Sequence, residues 1–310
     1  MRYKTIGAEG GDALKVSVIG LGCNAFGGRC DEAAAAAVIN QCLDEGINFF
    51  DTSNSYSNGL SEQFIGRALG ARRREAIVAT KFGIRQGAKR DTVFKAAELS
   101  LRNLGTDTID LYQLHFPDPD TPIAETLEAM DRLVRDGKVR VIGCSNFSGA
   151  QLEEALQVSK EKGFAAFATA QNPYSILQRD IEAELVPVCR ARGIGILPYY
   201  PLFRGMLTGK YKRGEPAPAG TRLAEGGRGA EALKDDAVFD RIDALTAFAA
   251  DRGHSLLDLA LAWLASQDTV PSVISGATKP EQITANAKGA DWVLNADECA
   301  AVDAIVPPPA

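Results

Sequence analysis

The chain has 310 residues, of which 45% are hydrophobic and 24% charged, and its formal net charge is -6. Its densest basic run is only Arg72–Arg74, and no stretch approaches about 18 consecutive apolar residues, so we expect neither a nucleic-acid partner nor a membrane span. The first residues lack the apolar segment of a secretory signal, and we therefore expect a cytoplasmic protein with one domain over residues 1–310.

The predicted strands begin with a short hairpin, Tyr3–Ile6 and Leu14–Val16, after which apolar strand-like runs alternate with amphipathic helix-length segments. Eight further strands are predicted at Val18–Leu21, Ile47–Asp51, Ala76–Lys81, Leu111–His115, Val139–Cys144, Ala168–Gln171, Ile194–Tyr199 and Ser272–Ile274.

Helices are predicted between these strands, at about residues 31–45, 61–70, 91–104, 121–136, 148–162, 180–192, 235–253, 255–267, 279–289 and 296–305. Ser61, Asp91, Thr121 and Ser148 are capping residue types at predicted helix starts, and several helices end near a glycine. Eight strand-then-helix units predict an α/β fold of the (β/α)8 TIM-barrel type rather than a doubly wound sheet.

A long segment after the seventh strand, residues 202–236, is rich in glycine, proline and charge. Loops that follow barrel strands form the mouth where ligands bind, so this segment is interpreted as a lid or cofactor clamp. A surface insertion is the alternative.

Six cysteines, at positions 23, 30, 42, 144, 189 and 299, show no C-x-x-C spacing and no pairing with the two histidines, His115 and His254. We therefore expect no metal site and no disulfide framework, and most of these thiols are expected to act as small core side chains.

Four titratable side chains stand at the carboxyl ends of predicted strands or just after them: Asp51, Tyr56, Lys81 and His115. Each alone has an ordinary structural explanation, but in a barrel the four converge on one rim. Lys81 would stabilise the Tyr56 phenolate, Asp51 would keep Lys81 charged, and His115 would orient a substrate oxygen. This set suits reversible proton transfer at a carbonyl or alcohol oxygen, with hydride supplied by a nicotinamide or flavin.

Cofactor-binding candidates follow the later strands. Ser145, Asn146, Gln171 and Asn172 offer groups that would bind a carboxamide, and Tyr199 offers a flat ring for stacking. After the eighth strand, a glycine turn opens a helix near Lys279, which is a plausible phosphate site.

A second motif, near the start of the chain, indicates a different kind of cofactor site. Residues 20–25 read GLGCNA and match the G-x-G-x-x-G/A pattern of a Rossmann turn. Phe26, Gly27 and Gly28 follow before any helix pattern, whereas a Rossmann helix would start at the third small residue. We therefore interpret the match as coincidental.

Over nearly its full length the sequence resembles the aldo-keto reductases, and in particular bacterial NADPH-dependent members related to potassium-channel beta subunits. The segments that carry the resemblance are FFDTSNSYSNGLSEQFIGRAL, ATKFG, DLYQLHFPDPDTPIAETLEAMDRLVRDGKVRVIGCSNFS, QNPYS, PYYPLFRGMLTGKY and SGATKPEQITANA. The resemblance implies a barrel with a hairpin across its bottom, and reduction of aldehydes and ketones with NADPH or, in some members, NADH.

Residue roles follow from the resemblance. It implies Tyr56 as general acid and base, Lys81 and Asp51 as its tuning pair, and His115 as the orienting donor. The implied cofactor contacts are Gly22, Cys23, Asn24, Asp51, Ser145, Asn146, Gln171, Tyr199, Leu202, Gly205, Lys210, Gly276, Thr278, Lys279, Gln282 and Asn286. Lys279 favours NADPH over NADH.

The substrate would be a small carbonyl or alcohol compound, contacted by Asn24, Tyr56 and His115, with apolar pocket walls from Phe26, Phe82, Phe116 and Phe203. Two positions depart from the family pattern, Ser275 where proline is common and Tyr200 where serine is common.

Two alternatives remain at this point. One is a Schiff-base lyase with Lys81 as the amine nucleophile, which the neighbouring Asp51 disfavours. The other is a non-catalytic or slow cofactor-sensing regulatory subunit, since some relatives in the family attach to membrane channels.

Overall fold

The computed structural model describes residues 1–7, 12–84, 86–224 and 229–309. Over these residues the chain forms ten strands and ten α-helices. The strands are β1 (Tyr3–Ile6), β2 (Leu14–Ser17), β3 (Ile19–Gly22), β4 (Phe49–Asp51), β5 (Ile77–Phe82), β6 (Ile109–Leu114), β7 (Val139–Ser145), β8 (Thr169–Pro173), β9 (Gly195–Tyr199) and β10 (Val273–Gly276). The helices are α1 (Glu32–Asp44), α2 (Leu60–Leu69), α3 (Arg90–Leu104), α4 (Ile123–Arg135), α5 (Gly149–Lys162), α6 (Leu185–Arg192), α7 (Asp236–Ala250), α8 (Leu256–Ser266), α9 (Pro280–Lys288) and α10 (Ala296–Ile305).

Strands β3 to β10 form one parallel sheet in the order β10-β3-β4-β5-β6-β7-β8-β9. Strands β9 and β10 also contact each other, so the sheet curves into a nearly closed barrel, with helices on the outside. The predicted (β/α)8 barrel is confirmed, because each predicted strand after the hairpin corresponds to one of these eight. The predicted boundaries were less accurate; the strand expected at Ile47–Asp51 is only Phe49–Asp51.

The antiparallel hairpin β1–β2 lies against the bottom of the barrel. The Lys4 ammonium donates hydrogen bonds to the carbonyls of Ala265, Gln267 and Val270 at and beyond the end of α8, at 2.8–2.9 Å. These bonds attach the hairpin to the end of α8 and to the loop that follows it. Four residues of its predicted turn, 8–11, lie outside the described residues.

The barrel interior changes from apolar to polar along the strands. Side chains two residues apart on a strand face the same side of the sheet. On three neighbouring strands an apolar interior residue is followed two positions later by a buried polar one: Phe49 by Asp51, Ala79 by Lys81 and Leu111 by Gln113. The polar layer therefore stands directly above the apolar core, at the mouth.

Some helix starts differ from the prediction. Ser148 caps α5 as expected and forms a capping box with Gln151. Ser61 lies inside α2, and its hydroxyl donates instead to the Cys23 carbonyl. Helix α3 starts one residue before Asp91, and the Thr121 hydroxyl bonds Asp118 and does not cap α4.

All six cysteines are free thiols, five buried and Cys299 half-buried, in agreement with the expected core role. Within the described ranges, no helix has the length and apolar character needed to cross a bilayer.

Candidate active site

A cleft of about 700 Å³ opens at the carboxyl ends of the barrel strands. Its size falls within the range of small-molecule and cofactor sites. Asp51, Tyr56 and His115 line one part of it, and residues from Gly276 to Asn286 line another. Lys81 lies beneath this surface with a completely buried side chain. The structure thus brings the four predicted rim residues together.

The Lys81–Asp51 ion pair is the centre of the site. Lys81 Nζ donates to Asp51 Oδ2 at 2.6 Å and to the Thr52 carbonyl at 2.7 Å. Asp51 Oδ1 accepts from the amides of Gln171 at 2.8 Å and Gln113 at 3.3 Å. Burial by itself lowers the pKa of Lys81, but Asp51 and Tyr56 together raise it above its ordinary value. The lysine is therefore a fixed, buried cation.

Tyr56 lies next to this cation. Its ring centroid is 5.2 Å from Lys81 Nζ, and the residue begins a 3₁₀ turn, Tyr56–Gly59. Burial raises the pKa of Tyr56 above its ordinary value, and the Lys81 charge lowers it only in part. The effect of the Lys81 cation on this pKa was predicted from the sequence, but burial, which was not predicted, has the larger effect. The hydroxyl is thus protonated at neutral pH, with a positive charge nearby to stabilise a phenolate.

His115 lies beside Tyr56, with ring centroids 5.9 Å apart in an edge-on arrangement. Its other neighbour is Phe116, stacked at 5.3 Å. Burial first, and the Lys81 charge second, lower the pKa of His115 to about 3. The imidazole is therefore neutral at physiological pH. Its Nδ1 lies 3.2 Å from Ser53 Oγ, which leaves Nε2 for the cleft.

The predicted amide group lies at the carboxyl ends of β7 and β8. Asn146 Nδ2 donates to the His115 carbonyl at 2.9 Å and to Ser145 Oγ at 3.1 Å, while its Oδ1 accepts from the Tyr199 hydroxyl at 2.7 Å. Three of the four hydrogen-bonding positions of the Asn146 amide are thus already used within the protein. Gln171 also lines the cleft, and its Nε2 donates to Asp51 Oδ1 at 2.8 Å.

Asn172 was also considered as an amide binder. It is buried, and its Nδ2 donates to the Phe147 carbonyl at 3.1 Å. The structure places it outside the cleft lining.

The segment after β9 contributes a further part of the lining. Leu202, Gly205 and Lys210, predicted to contact the cofactor, all line the cleft. The backbone is left-handed at Phe203 (φ 44°), Arg204 (φ 57°) and Gly205 (φ 102°), a turn that glycine tolerates best. Residues 225–228 of the predicted lid lie outside the described residues, and closure over a ligand stays a prediction.

Arginine side chains in this segment were not predicted as site residues. The guanidinium groups of Arg204 and Arg222 lie 5.2 Å and 4.9 Å from the Tyr200 ring centroid. Tyr200, which stands where serine is common in the family, therefore gives both arginines a stacking surface. Nε of Arg204 is buried and has no hydrogen-bond partner among the described residues. The one feature of the sequence that could have indicated these arginines is the presence of basic residues in the charged segment 202–236.

The start of α9 holds the remaining predicted contacts. Gly276, Thr278, Gln282 and Asn286 line the cleft, whereas Lys279 is exposed and outside its lining. Gln282 Oε1 accepts from the backbone N–H groups of Thr278 at 2.7 Å and Lys279 at 3.2 Å. This glutamine already occupies two of the N–H donors at the helix N-terminus that were predicted to bind phosphate.

The first barrel loop lies at the cleft through Gly22, Cys23 and Asn24. Gly20 lies within β3, where a Cβ would come 2.9 Å from the Phe49 ring. Close packing of neighbouring strands therefore accounts for this glycine, and α1 starts only at Glu32. Both facts agree with the interpretation of the Rossmann match as coincidental.

Three of the four predicted apolar walls are not at the cleft. Phe26 and Phe82 are completely buried in the core, and Phe82 stacks on Tyr112 at 4.7 Å because it faces the helix layer, opposite to Lys81. Phe203 is half-buried and packs on the core. Only Phe116, which is 45% exposed, lines the cleft. Ile84 and Arg29 also line it and were not predicted.

The charge of the cleft fits a phosphate-bearing ligand. Four cationic residues line it, Arg29, Arg204, Lys210 and Arg222, and within the described part of the chain none forms an ion pair. The lining carboxylate, Asp51, is neutralised by Lys81. In a chain of net charge -6, this local excess of positive charge favours an anion. The site therefore fits an elongated nucleotide cofactor with its reactive end near Tyr56.

Comparison with known proteins agrees with this geometry. The sequence model described as the aldo/keto reductase family matches residues 18–307. A probable voltage-gated potassium channel subunit beta of Oryza sativa subsp. japonica is 35% identical, over 94% of this chain and 92% of that protein. The aldo-keto reductase YhdN of Bacillus subtilis is 34% identical, over 96% of this chain and 91% of that protein.

Among solved structures, the glycerol dehydrogenase of Gluconobacter oxydans superposes with a TM-score of 0.84 at 32% identity, covering 99% of this chain and 97% of that one. The family model, the relatives and the shared barrel lead to one conclusion. The chain belongs to the aldo/keto reductase family of oxidoreductases.

Proposed function

We propose that the protein reversibly reduces an aldehyde or ketone to an alcohol with NADP(H), and that Tyr56 donates and accepts the proton. The observation that carries the proposal is the buried Lys81–Asp51 pair, whose cation lies 5.2 Å from the Tyr56 ring at the edge of a cationic cleft. Carbonyl reduction needs a proton donor that stays protonated until the substrate oxygen becomes basic. A tyrosine with a raised pKa beside a fixed cation meets this requirement.

Residues of this chain donate and accept the proton of the substrate oxygen. In the reducing direction, the Tyr56 hydroxyl protonates the developing alkoxide, and the Lys81 charge stabilises the phenolate that remains. Asp51 keeps Lys81 charged and in place through its 2.6 Å contact. In the oxidising direction the phenolate removes the alcohol proton. His115, neutral because of burial and the Lys81 charge, binds the substrate oxygen without competing as an acid.

A nicotinamide cofactor, when bound, would supply or accept the hydride. Its nicotinamide end would be held by Gln171, Ser145 and Tyr199, with Asn146 fixing their arrangement. Leu202, Gly205 and Lys210 would hold the pyrophosphate. Gly276, Thr278, Gln282 and Asn286 would contact the adenosine end.

The preference for NADP(H) over NAD(H) rests on charge. Arg204 and Arg222 are cations without carboxylate partners among the described residues, and Nε of Arg204 has no acceptor. An additional phosphate would satisfy such groups. Lys279, although outside the lining, has an exposed side chain at the start of α9 and stays a candidate for the same phosphate.

The substrate end combines one aromatic wall with polar groups. Phe116 and Ile84 provide apolar surface near His115, and Asn24 and Arg29 are exposed polar residues of the first loop. We propose a small carbonyl compound with an apolar portion against Phe116.

The lyase alternative is opposed by the geometry. A Schiff base needs a neutral, accessible amine, whereas Lys81 is completely buried and its pKa is raised. The regulatory alternative draws on the Oryza sativa relative, which is named as a probable channel subunit. It would combine retained cofactor binding with negligible turnover.

The test follows NADPH absorbance with a panel of aliphatic and aromatic aldehydes and ketones, and NADP reduction with the corresponding alcohols. Quenching of cofactor fluorescence measures binding separately. Oxidation of NADPH by at least one carbonyl substrate supports the proposal. Tight cofactor binding without turnover across the panel contradicts it and favours the regulatory role.

A further inference from the structure

Ser53 is a buried hydroxyl next to the active site that the mechanism above does not use. It is completely buried, in the segment that joins β4 to Tyr56. Its Oγ lies 3.2 Å from His115 Nδ1. A neutral imidazole carries one proton, and the partner of one ring nitrogen decides which nitrogen carries it. The hydrogen bonds around Ser53 therefore bear on which nitrogen of His115 faces the cleft with a proton.

Ser53 Oγ has four neighbours within hydrogen-bond distance. Two belong to Ser55, whose backbone N–H donates at 3.3 Å and whose hydroxyl lies 2.9 Å away. The others are the Lys81 carbonyl at 3.3 Å and His115 Nδ1. A serine oxygen accepts two hydrogen bonds and donates one. The Ser55 N–H fills one lone pair, and either hydroxyl of the Ser53–Ser55 pair can be the donor in their contact. With the Ser55 hydroxyl as donor, both lone pairs of Ser53 are filled, and Ser53 then gives its proton to Nδ1 and takes none from it.

The choice between the two remaining acceptors follows from what each already has. The Lys81 carbonyl accepts the backbone N–H of Asn54 at 3.2 Å. Among the described residues, Nδ1 of His115 has no partner other than Ser53. A buried acceptor left without a donor is costly, by about 1–3 kcal/mol. The Ser53 proton is therefore best placed on the bond to Nδ1.

We infer that Ser53 is a positioning residue that holds His115 in the tautomer with the proton on Nε2. This tautomer presents an N–H donor to the cleft, where the other would present a lone pair. A donor there binds the oxygen of a carbonyl substrate and stabilises the charge that develops on it. The catalytic part of this inference rests on the proposed function, whereas the tautomer itself does not.

The test uses nitrogen NMR of the whole protein labelled with 15N-histidine. The chain contains only His115 and His254, so the spectrum is simple, and His254→Gln assigns it. At pH 7.5 the wild-type His115 should show a protonated Nε2 and an unprotonated, hydrogen-bonded Nδ1. In Ser53→Ala the Nδ1 resonance should move to that of an unbonded nitrogen and the proportion of the Nδ1–H form should rise. Ser53→Thr, which keeps the hydroxyl, should restore the wild-type pattern.

Activity gives the second measurement. Ser53→Ala should lower kcat about tenfold, which corresponds to the loss of one hydrogen bond, and should leave the NADPH Kd within about twofold. Ser53→Thr should recover most of this loss. Ser100→Ala is the matched control, because Ser100 is completely buried in α3 and its hydroxyl has no partner among the described residues.

Three results would overturn the inference: a proton on Nδ1 in the wild type, unchanged His115 resonances in Ser53→Ala, or the same effect from Ser100→Ala. An inactive wild-type protein with the expected tautomer would refute the proposed function and leave the Ser53–His115 bond established.

Discussion

The neutral state of His115 makes the stability of the protein depend on pH in a way that can be isolated. The perturbation is acidification from pH 7.5 to pH 5.0, applied to the wild type and to His115→Gln. Burial, and then the charge of Lys81, lower the pKa of His115 to about 3, compared with about 6.5 in an unfolded chain. Between these values the unfolded state binds a proton that the folded state does not, so stability falls as the pH is lowered through this window.

The magnitude follows from the two pKa values. At pH 7.5 the histidine is neutral in both states and contributes almost nothing to the difference. At pH 5.0 it is protonated when unfolded and still neutral when folded. The value pH 5.0 lies about 1.5 pH units below the pKa of His115 in the unfolded chain, and each unit is worth about 1.4 kcal/mol. The free energy of unfolding therefore falls by about 2 kcal/mol. In thermal unfolding this amounts to roughly 2–4 °C.

The assay is urea unfolding of both proteins at pH 7.5, 6.0 and 5.0. All other titratable groups are the same in the two proteins, so their contributions cancel in the comparison. The wild type should lose about 2 kcal/mol more than His115→Gln between the extremes. An equal loss in the two proteins would show that His115 titrates normally, and the argument for a neutral orienting group would be wrong.

Three further changes test other parts of the site and fold. Asp51→Asn leaves the Lys81 cation buried without its counter-charge. It should lower the free energy of unfolding, measured by chemical denaturation, by about 3–5 kcal/mol. A change under about 1 kcal/mol would show that the lysine is neutral. Lys279→Ala should weaken NADPH binding about tenfold and NADH binding little, with Lys288→Ala as the control; equal losses for both cofactors would remove Lys279 from phosphate recognition. Gly66→Ala should destabilise the fold by about 1–3 kcal/mol, because its Cβ would collide with the backbone of Leu104, and an unchanged thermal midpoint would show that α2 and α3 separate easily.

The placement of the catalytic candidates was predictable from the sequence. Parallel strands of a barrel end at the same rim, so Asp51, Lys81 and His115 meet once the strands are located. Their inward direction also follows from the two-residue period, since each follows the apolar interior pattern of its strand. The same two-residue period would have excluded Phe82 from the predicted pocket walls, because Phe82 stands next to Lys81 and faces outward, towards the helices.

Other parts of the site were not predictable, because irregular backbone carries no periodic signal. Arg204 lies in a left-handed turn, and Arg222 lies 23 residues after the end of β9 at Tyr199, yet both stack on the Tyr200 ring. The Gln282 cap and the bonds of the Asn146 amide to Tyr199 and His115 are hydrogen bonds that only the folded chain defines. Burial of Tyr56 raises its pKa more than the lysine lowers it, and this balance also requires the structure.

The most direct test of the account is the rate of carbonyl reduction by Tyr56→Phe. Its matched control is Tyr112→Phe, since Tyr112 is buried in β6 outside the cleft lining and its hydroxyl donates to the Val93 carbonyl at 3.4 Å. NADPH oxidation by Tyr56→Phe should fall by at least about 100-fold, as expected for the loss of a general acid, while NADPH affinity stays within a few-fold and Tyr112→Phe retains its activity. Carbonyl reduction by Tyr56→Phe at a rate near that of the wild type would contradict the assignment of the proton donor.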